Sequence, residues 1–128
     1  MSSQALTRQA QAAYGAKAAP VRTHRGTEYA VFANITKRIR ASSQRGRDGF
    51  NDLASALHDN MRLWTILAVD VADDGNRLPI EMRAQIFSLA EFTRQHTAKI
   101  LRREAAVDPL IEINVAIMKG LAAREAAA

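Results

Sequence analysis

The sequence predicts an all-α fold: a small helical bundle of about four to five helices, with a core of three antiparallel helices. Three observations carry this expectation. Alanine is abundant, and only seven of the 128 residues are aromatic, a balance that favours helices over strands. Apolar residues recur at helical spacing in three long stretches. Pro79 and Pro109 stand at the starts of two of those stretches, where the missing proline N–H is harmless. With 48% apolar residues, the chain has the size of one domain over 1–128 and can bury a modest core.

Residues 3–18 are rich in alanine and glutamine, and Leu6, Ala10, Ala13 and Tyr14 form a thin apolar stripe. This stretch predicts a helix interrupted at Gly15 or ended by Pro20. A second helix is predicted over 26–41, with Thr27 as its cap and Ala30, Val31, Ile35 and Ile39 near one face. These two helices either add to the bundle or project from it. The stretch "ASSQRGRDG" (41–49) reads as a surface loop and as the most mobile segment.

The helix predicted over 51–73 carries Leu53, Leu57, Trp64, Leu67 and Val71, widened by Ala56, Leu63 and Ile66. So much of its surface is apolar that it should be central. A helix over 79–104 shows Met82, Ile86, Leu89, Ile100 and Leu101, broadened by Phe87 and Phe92. Lys99, Arg102 and Arg103 suit its negative dipole end. Asp108-Pro109 reads as a cap followed by proline in the first turn of a last helix. That helix holds Leu110, Ile113, Ile117 and Leu121, with Ile111 and Met118 beside them, and Gly120 near a fraying end. The three strong helices are joined by short loops, as in an antiparallel bundle. The chain thus divides into a basic N-terminal helical arm (1–47), a helical core (50–121) and a polar tail (122–128).

Charge is unevenly spread. Residues 1–47 hold nine Lys or Arg against one acid, Glu28, for a net of +8; residues 48–128 hold nine against twelve, for a net of −3. The strip Lys37, Arg38, Arg40, Arg45 and Arg47 is a candidate electrostatic contact for RNA or for an acidic protein partner. Only Tyr14, Tyr29 and Phe32 could stack on bases in this part, which makes a single-strand platform a poor fit. There are no cysteines, so disulfide and thiolate chemistry are excluded. No apolar run reaches the ~18 residues of a membrane span. "LWTILAVDVA" is too short and contains Asp70, and the N-terminus lacks the apolar stretch of a secretory signal. A cytoplasmic protein without membrane insertion is expected.

No catalytic constellation emerges. His24, His58 and His96 are far apart and form no metal-ligand pair at helical spacing. Nucleotide-binding and hydrolase signatures are missing. Neither an enzyme, a metal site nor a cofactor is therefore expected. "DVADDGNRLPIE" (Asp70–Glu81) imitates a calcium loop, with Asp70, Asp74, Gly75 and Glu81 in register. Ala72 supplies no ligand at the third position, however, and Arg77 puts a cation beside the site. The simpler reading is a turn: Gly75 and Asn76 end one helix in left-handed conformation, and Pro79 opens the next.

The central stretch has more apolar surface than one core stripe needs. Met61, Trp64, Ile66, Val69, Met82, Phe87 and Met118 are the candidate partner-binding residues, because methionine and aromatic side chains suit an adaptable apolar groove. The same surplus would equally serve core packing or a homodimer interface, and for Trp64 core packing is the simpler reading.

Three stretches become specific together: "ALHDNMRLWTILAVDVADDGNRLP", "RAQIFSLAEFTRQHTAKILR" and "VDPLIEINVAIMKGL". They resemble the flagellar biosynthesis regulator FlaF family, closely over about residues 53–121. Tyr14-Gly15, Pro20, Arg22 and Glu28 fit more loosely. The resemblance implies a small non-enzymatic protein of flagellum assembly. It implies that flagellin is the partner, bound by a cytoplasmic secretion chaperone or adaptor. It further implies post-transcriptional promotion of flagellin synthesis in opposition to the repressor FlbT, a further candidate partner. The competing expectation is a direct RNA-binding regulator that uses the basic arm.

Overall fold

The computed structural model describes residues 24–127. The helix expected over 3–18 lies outside them, as do Tyr14, Gly15, Pro20 and Arg22. The described residues form α1 (His24–Gln44), a 3-10 turn (Gly46–Gly49), α2 (Phe50–Ala72), α3 (Ile80–Leu101) and α4 (Asp108–Ala127), with no strand among them. The fold is a small all-α bundle, as the composition and periodicity predict.

Of the two alternatives for the helix near 26–41, the structure takes the first: α1 adds to the bundle. Val31, Phe32, Ile35 and Ile39 are buried, and they recur within one helical stripe. Helix α2 is central as expected, packed against both α1 and α3. Helix α4 lies on α1, whereas α3 and α4 make few contacts. Ion pairs between Arg38 and Asp59 (2.7 Å) and between Arg45 and Asp52 fix α1 antiparallel to α2.

The core centres on Trp64, which is fully buried and meets Phe32 edge to face at 5.6 Å. Such aromatic pairs add ~1 kcal/mol to the burial itself. A buried polar network crosses this core. The Trp64 indole N–H donates to Asn114 Oδ1 (3.0 Å). The Asn114 amide donates to Asn60 Oδ1 (2.8 Å) and to Thr36 Oγ1 (3.1 Å). One asparagine on α4 thereby ties α1 and α2 together. Its counterparts on α3, Thr93 and Thr97, are buried without a hydroxyl partner.

The stretch 41–49 lies largely at the surface, as expected, but it is a helical corner rather than an open loop. Helix α1 continues through it to Gln44, and Ser42 is buried, donating to the Arg38 carbonyl at 2.7 Å. Gly46 takes a left-handed φ of 61°. Gly49 is buried so closely that a Cβ there would stand 2.1 Å from the Ser42 carbonyl oxygen. Gly49→Ala is therefore expected to destabilise the fold by ~3 kcal/mol through overpacking. Gly46→Ala, which has open space but an unfavourable φ, should cost only ~1 kcal/mol. Urea midpoints of the two variants check the contrast.

Residues 70–81 form a turn, as expected, but by a different device. Asp73 is extended (φ −73°, ψ 132°) and ends α2, and Gly75 is not left-handed. Asp73 Oδ1 accepts from the Gly75 N–H, and Asn76 Oδ1 accepts from the Leu78 N–H, both at 3.0 Å. The Arg83 guanidinium donates to the Val71 carbonyl (2.7 Å) and to the Asp73 carbonyl (3.1 Å). It brings a cation to the negative end of α2. Pro79 is the cap residue, one position before the helix rather than its first residue. Asp70 is held by the Asn76 amide at 3.3 Å, and no group of three His, Asp or Glu side chains converges among the described residues. Calorimetric titration is expected to show no micromolar calcium binding; binding lost in Asp70→Ala would contradict the turn.

Helix α3 departs most from its predicted stripe. Its buried residues are Ile86, Thr93, Thr97 and Ile100. Leu101, expected in the apolar stripe, and Phe87 and Phe92, expected to broaden it, are exposed. Helix α3 ends with Arg103 in left-handed conformation (φ 62°), where its N–H donates to Ile100 and that of Glu104 donates to Lys99. This pair of bonds is a Schellman closure, made here without glycine. Helix α4 opens on the Val107 carbonyl, which accepts from Leu110 and Ile111. No left-handed or other interruption appears at Gly120, and the helix runs through the predicted tail to Ala127.

Candidate functional site

Part of the apolar surplus seen in the sequence gathers on one side of the α2–α3 pair. Antiparallel packing there leaves a groove of about 240 Å³. From α2 it takes Met61, Thr65, Ala68, Val69 and Ala72, which recur every three or four residues and so share a face. From α3 it takes Phe87 and Ala90. The small residues at 68, 72 and 90 keep the helices from filling the space between them. Val69 is 39% exposed and Phe87 is 53% exposed, so each presents an apolar wall to solvent.

The rim at one end is charged. Arg94 donates to Glu91 at 2.6 Å, and Gln95 donates to the same carboxylate at 3.2 Å. These hydrogen bonds hold the Glu91 carboxyl below its ordinary range, and the carboxylate in turn raises Arg94. Both groups stay charged at neutral pH. The Thr65 hydroxyl donates back to the Met61 carbonyl at 2.8 Å, which spares the groove an unpaired hydroxyl.

The seven candidate partner-binding residues separate. Met61, Val69 and Phe87 line the groove. Trp64 lies beneath it but is fully buried and hydrogen-bonded, so it belongs to the core rather than to a contact surface. Met82 and Met118 pack against the core from its edge and are outside the groove. Ile66 is half-buried and also does not line it; at ~100° per residue it points away from the face of Thr65 and Ala68.

The basic strip separates too. Arg38 is bound to Asp59 and Ser55, and Arg45 to Asp52. Lys37, Arg40 and Arg47 are exposed and make no ion pair among the described residues. Phe32, one of the three aromatics available for stacking on bases, is buried in the core. His96 stacks on Phe92 at 5.2 Å and bonds the Ala106 carbonyl at 2.8 Å, a structural role. The residues that sequence reasoning missed are Thr36, Asn60 and Asn114. Asn60 and Asn114 interrupt otherwise apolar stripes (Leu57–Trp64 and Leu110–Ile117), and that interruption was the available signal.

The fold and the groove define a small all-helical protein with an open apolar face and a polar-tied core. The chain belongs to the FlaF family: the family model described as flagellar protein FlaF matches residues 10–121. It is thus a flagellum-related protein. Comparison with curated proteins and with solved structures gave no match. Among the described residues no helix is long and apolar enough to cross a membrane.

Proposed function

We propose that this chain is a non-enzymatic flagellin-binding chaperone or adaptor that acts in the cytoplasm, needs no cofactor, and takes an amphipathic segment of flagellin into the α2–α3 groove. By holding flagellin before assembly it would promote flagellin synthesis and secretion, in opposition to FlbT. The observation that carries the reading is the groove itself. Its half-buried Met61 and exposed Val69 and Phe87 lie in the two stretches where the family resemblance is most specific. An amphipathic helix presents apolar anchors at i, i+3, i+4 and i+7, which suit such a groove between helices. The basic strip supports an RNA reading less well, because Arg38 and Arg45 are spent on internal carboxylates and Phe32 is buried.

Calorimetry with purified flagellin tests this. Binding should show a negative heat-capacity change and persist at high salt, unlike a contact made by exposed charges. Phe87→Asp or Val69→Asp is expected to weaken it by roughly tenfold or more, the ~1.4 kcal/mol that one apolar anchor supplies. Neither change should alter the helical circular dichroism, since both side chains are exposed. Ile66→Asp, off the groove, should bind nearly normally. Normal binding by both groove variants, with loss on neutralising Lys37, Arg40 and Arg47, would place the partner on the basic strip instead.

A further inference from the structure

A second cavity lies at the opposite end of α2, away from the groove. It has a volume of about 530 Å³, within the ~300–1,000 Å³ of small-ligand sites. Its floor is apolar: Phe50, Leu53, Ile100 and Val107. Arg47 and Arg103 line it, and neither forms an ion pair among the described residues. Asp108 is the one carboxylate in the lining, so the charged side chains there sum to a single positive charge.

The two arginines are positioned by the backbone. Arg47 sits in the 3-10 turn that begins at the left-handed Gly46. Arg103 holds a left-handed φ of 62°, a conformation that strains a non-glycine residue. Its guanidinium lies over the Phe50 ring at 4.8 Å. A glycine would close α3 without that strain; the arginine instead puts a cation at the edge of an apolar floor. Stacking on the ring leaves the in-plane N–H groups available to an oxygen anion.

We propose that this cavity captures the C-terminal carboxylate of a polypeptide that ends in an apolar residue. Arg47 and Arg103 donate to the carboxylate, as guanidinium forks do. The terminal side chain rests on Phe50, Leu53, Ile100 and Val107. Asp108 accepts the N–H of a preceding residue. A polyanion such as a nucleotide is disfavoured because Asp108 opposes added negative charge. The site is independent of the groove, so it stands or falls apart from the flagellin reading.

The probes are N-acetyl-Ala-Ala-Leu as free acid and as C-terminal amide, titrated into the full chain and followed by amide chemical shifts. The free acid should perturb residues 46–50 and 103–108 and bind at least tenfold more tightly than the amide. Arg47→Gln and Arg103→Gln should each reduce that preference to about twofold or less. Arg103→Gly, which relieves the backbone, shows whether loss comes from the guanidinium rather than from misfolding: it should be stably folded and equally indifferent to the carboxylate. Equal binding of acid and amide, shifts elsewhere on the bundle, or no binding at millimolar peptide would overturn the proposal. So would competition by inorganic phosphate at the affinity of the peptide, which would mean an unspecific anion site.

Discussion

Asn114→Ala is expected to destabilise the bundle by ~3–5 kcal/mol, the largest effect of any polar substitution in the described residues. The change leaves two buried groups without their partner, the Trp64 indole N–H and the Asn60 side-chain oxygen, and takes from the Thr36 hydroxyl the bond it accepts, although that hydroxyl still donates to the Phe32 carbonyl. Each orphaned buried group costs ~1–3 kcal/mol, and partial relaxation or a trapped water offsets some of the sum. Asn114→Asp should be nearly as harmful, because it keeps the acceptor for Trp64 but loses both amide donations and buries a charge. Urea denaturation followed by circular dichroism measures this directly. A loss below ~1 kcal/mol would mean that the network contributes little net stability.

Trp64→Ala is expected to cost ~3–5 kcal/mol, the range for emptying a large aromatic site. The indole is fully buried, packs on Phe32, and donates to Asn114. Trp64→Phe should cost less, since it keeps an aromatic partner for Phe32 and loses only part of the volume and the N–H. The Trp64→Ala and Asn114→Ala losses should not add: residues that share a hydrogen bond couple by ~0.5–3 kcal/mol. Additive losses would indicate that the 3.0 Å bond between them is not made in solution.

The fold class was legible because three stripes of apolar residues have helical spacing, and α2 and the starts of α3 and α4 fall within a residue or two of their predicted limits. The α3 stripe was misread for a physical reason. Its buried face includes Thr93 and Thr97, which a pattern of apolar residues passes over, so the apolar stripe runs on through Phe92 and Leu101, which the structure exposes. The corner at 41–49 was misread because serine and glycine there signal an open loop. Instead Ser42 bonds back into its own helix and Gly49 permits a close backbone approach. The turn at 70–81 was legible as a turn, but its closure depends on Arg83, ten residues beyond Asp73 in sequence.

The groove was partly legible. Met61, Val69 and Phe87 could be identified from apolar surplus alone, since one helix cannot bury so wide a face. Assigning the remaining candidates needed the packing partners of each helix. Trp64 falls inward toward Phe32 and Asn114. Met82 and Met118 are drawn against the core edge, and Ile66 lies off the groove. The charged strip could not be sorted by sequence, because the ion pairs of Arg38 with Asp59 and of Arg45 with Asp52 depend on how α1 folds back on α2 across the corner.

Site-specific photo-crosslinking tests the central claim most directly. A benzophenone amino acid is placed at Phe87, at Val69 or, as a control on the basic strip, at Lys37, and each full-length protein is irradiated with purified flagellin. If the α2–α3 groove holds flagellin, positions 87 and 69 capture it and position 37 does not. Capture from Lys37 alone, or from none of the three while calorimetry shows binding, would contradict the groove as the flagellin site.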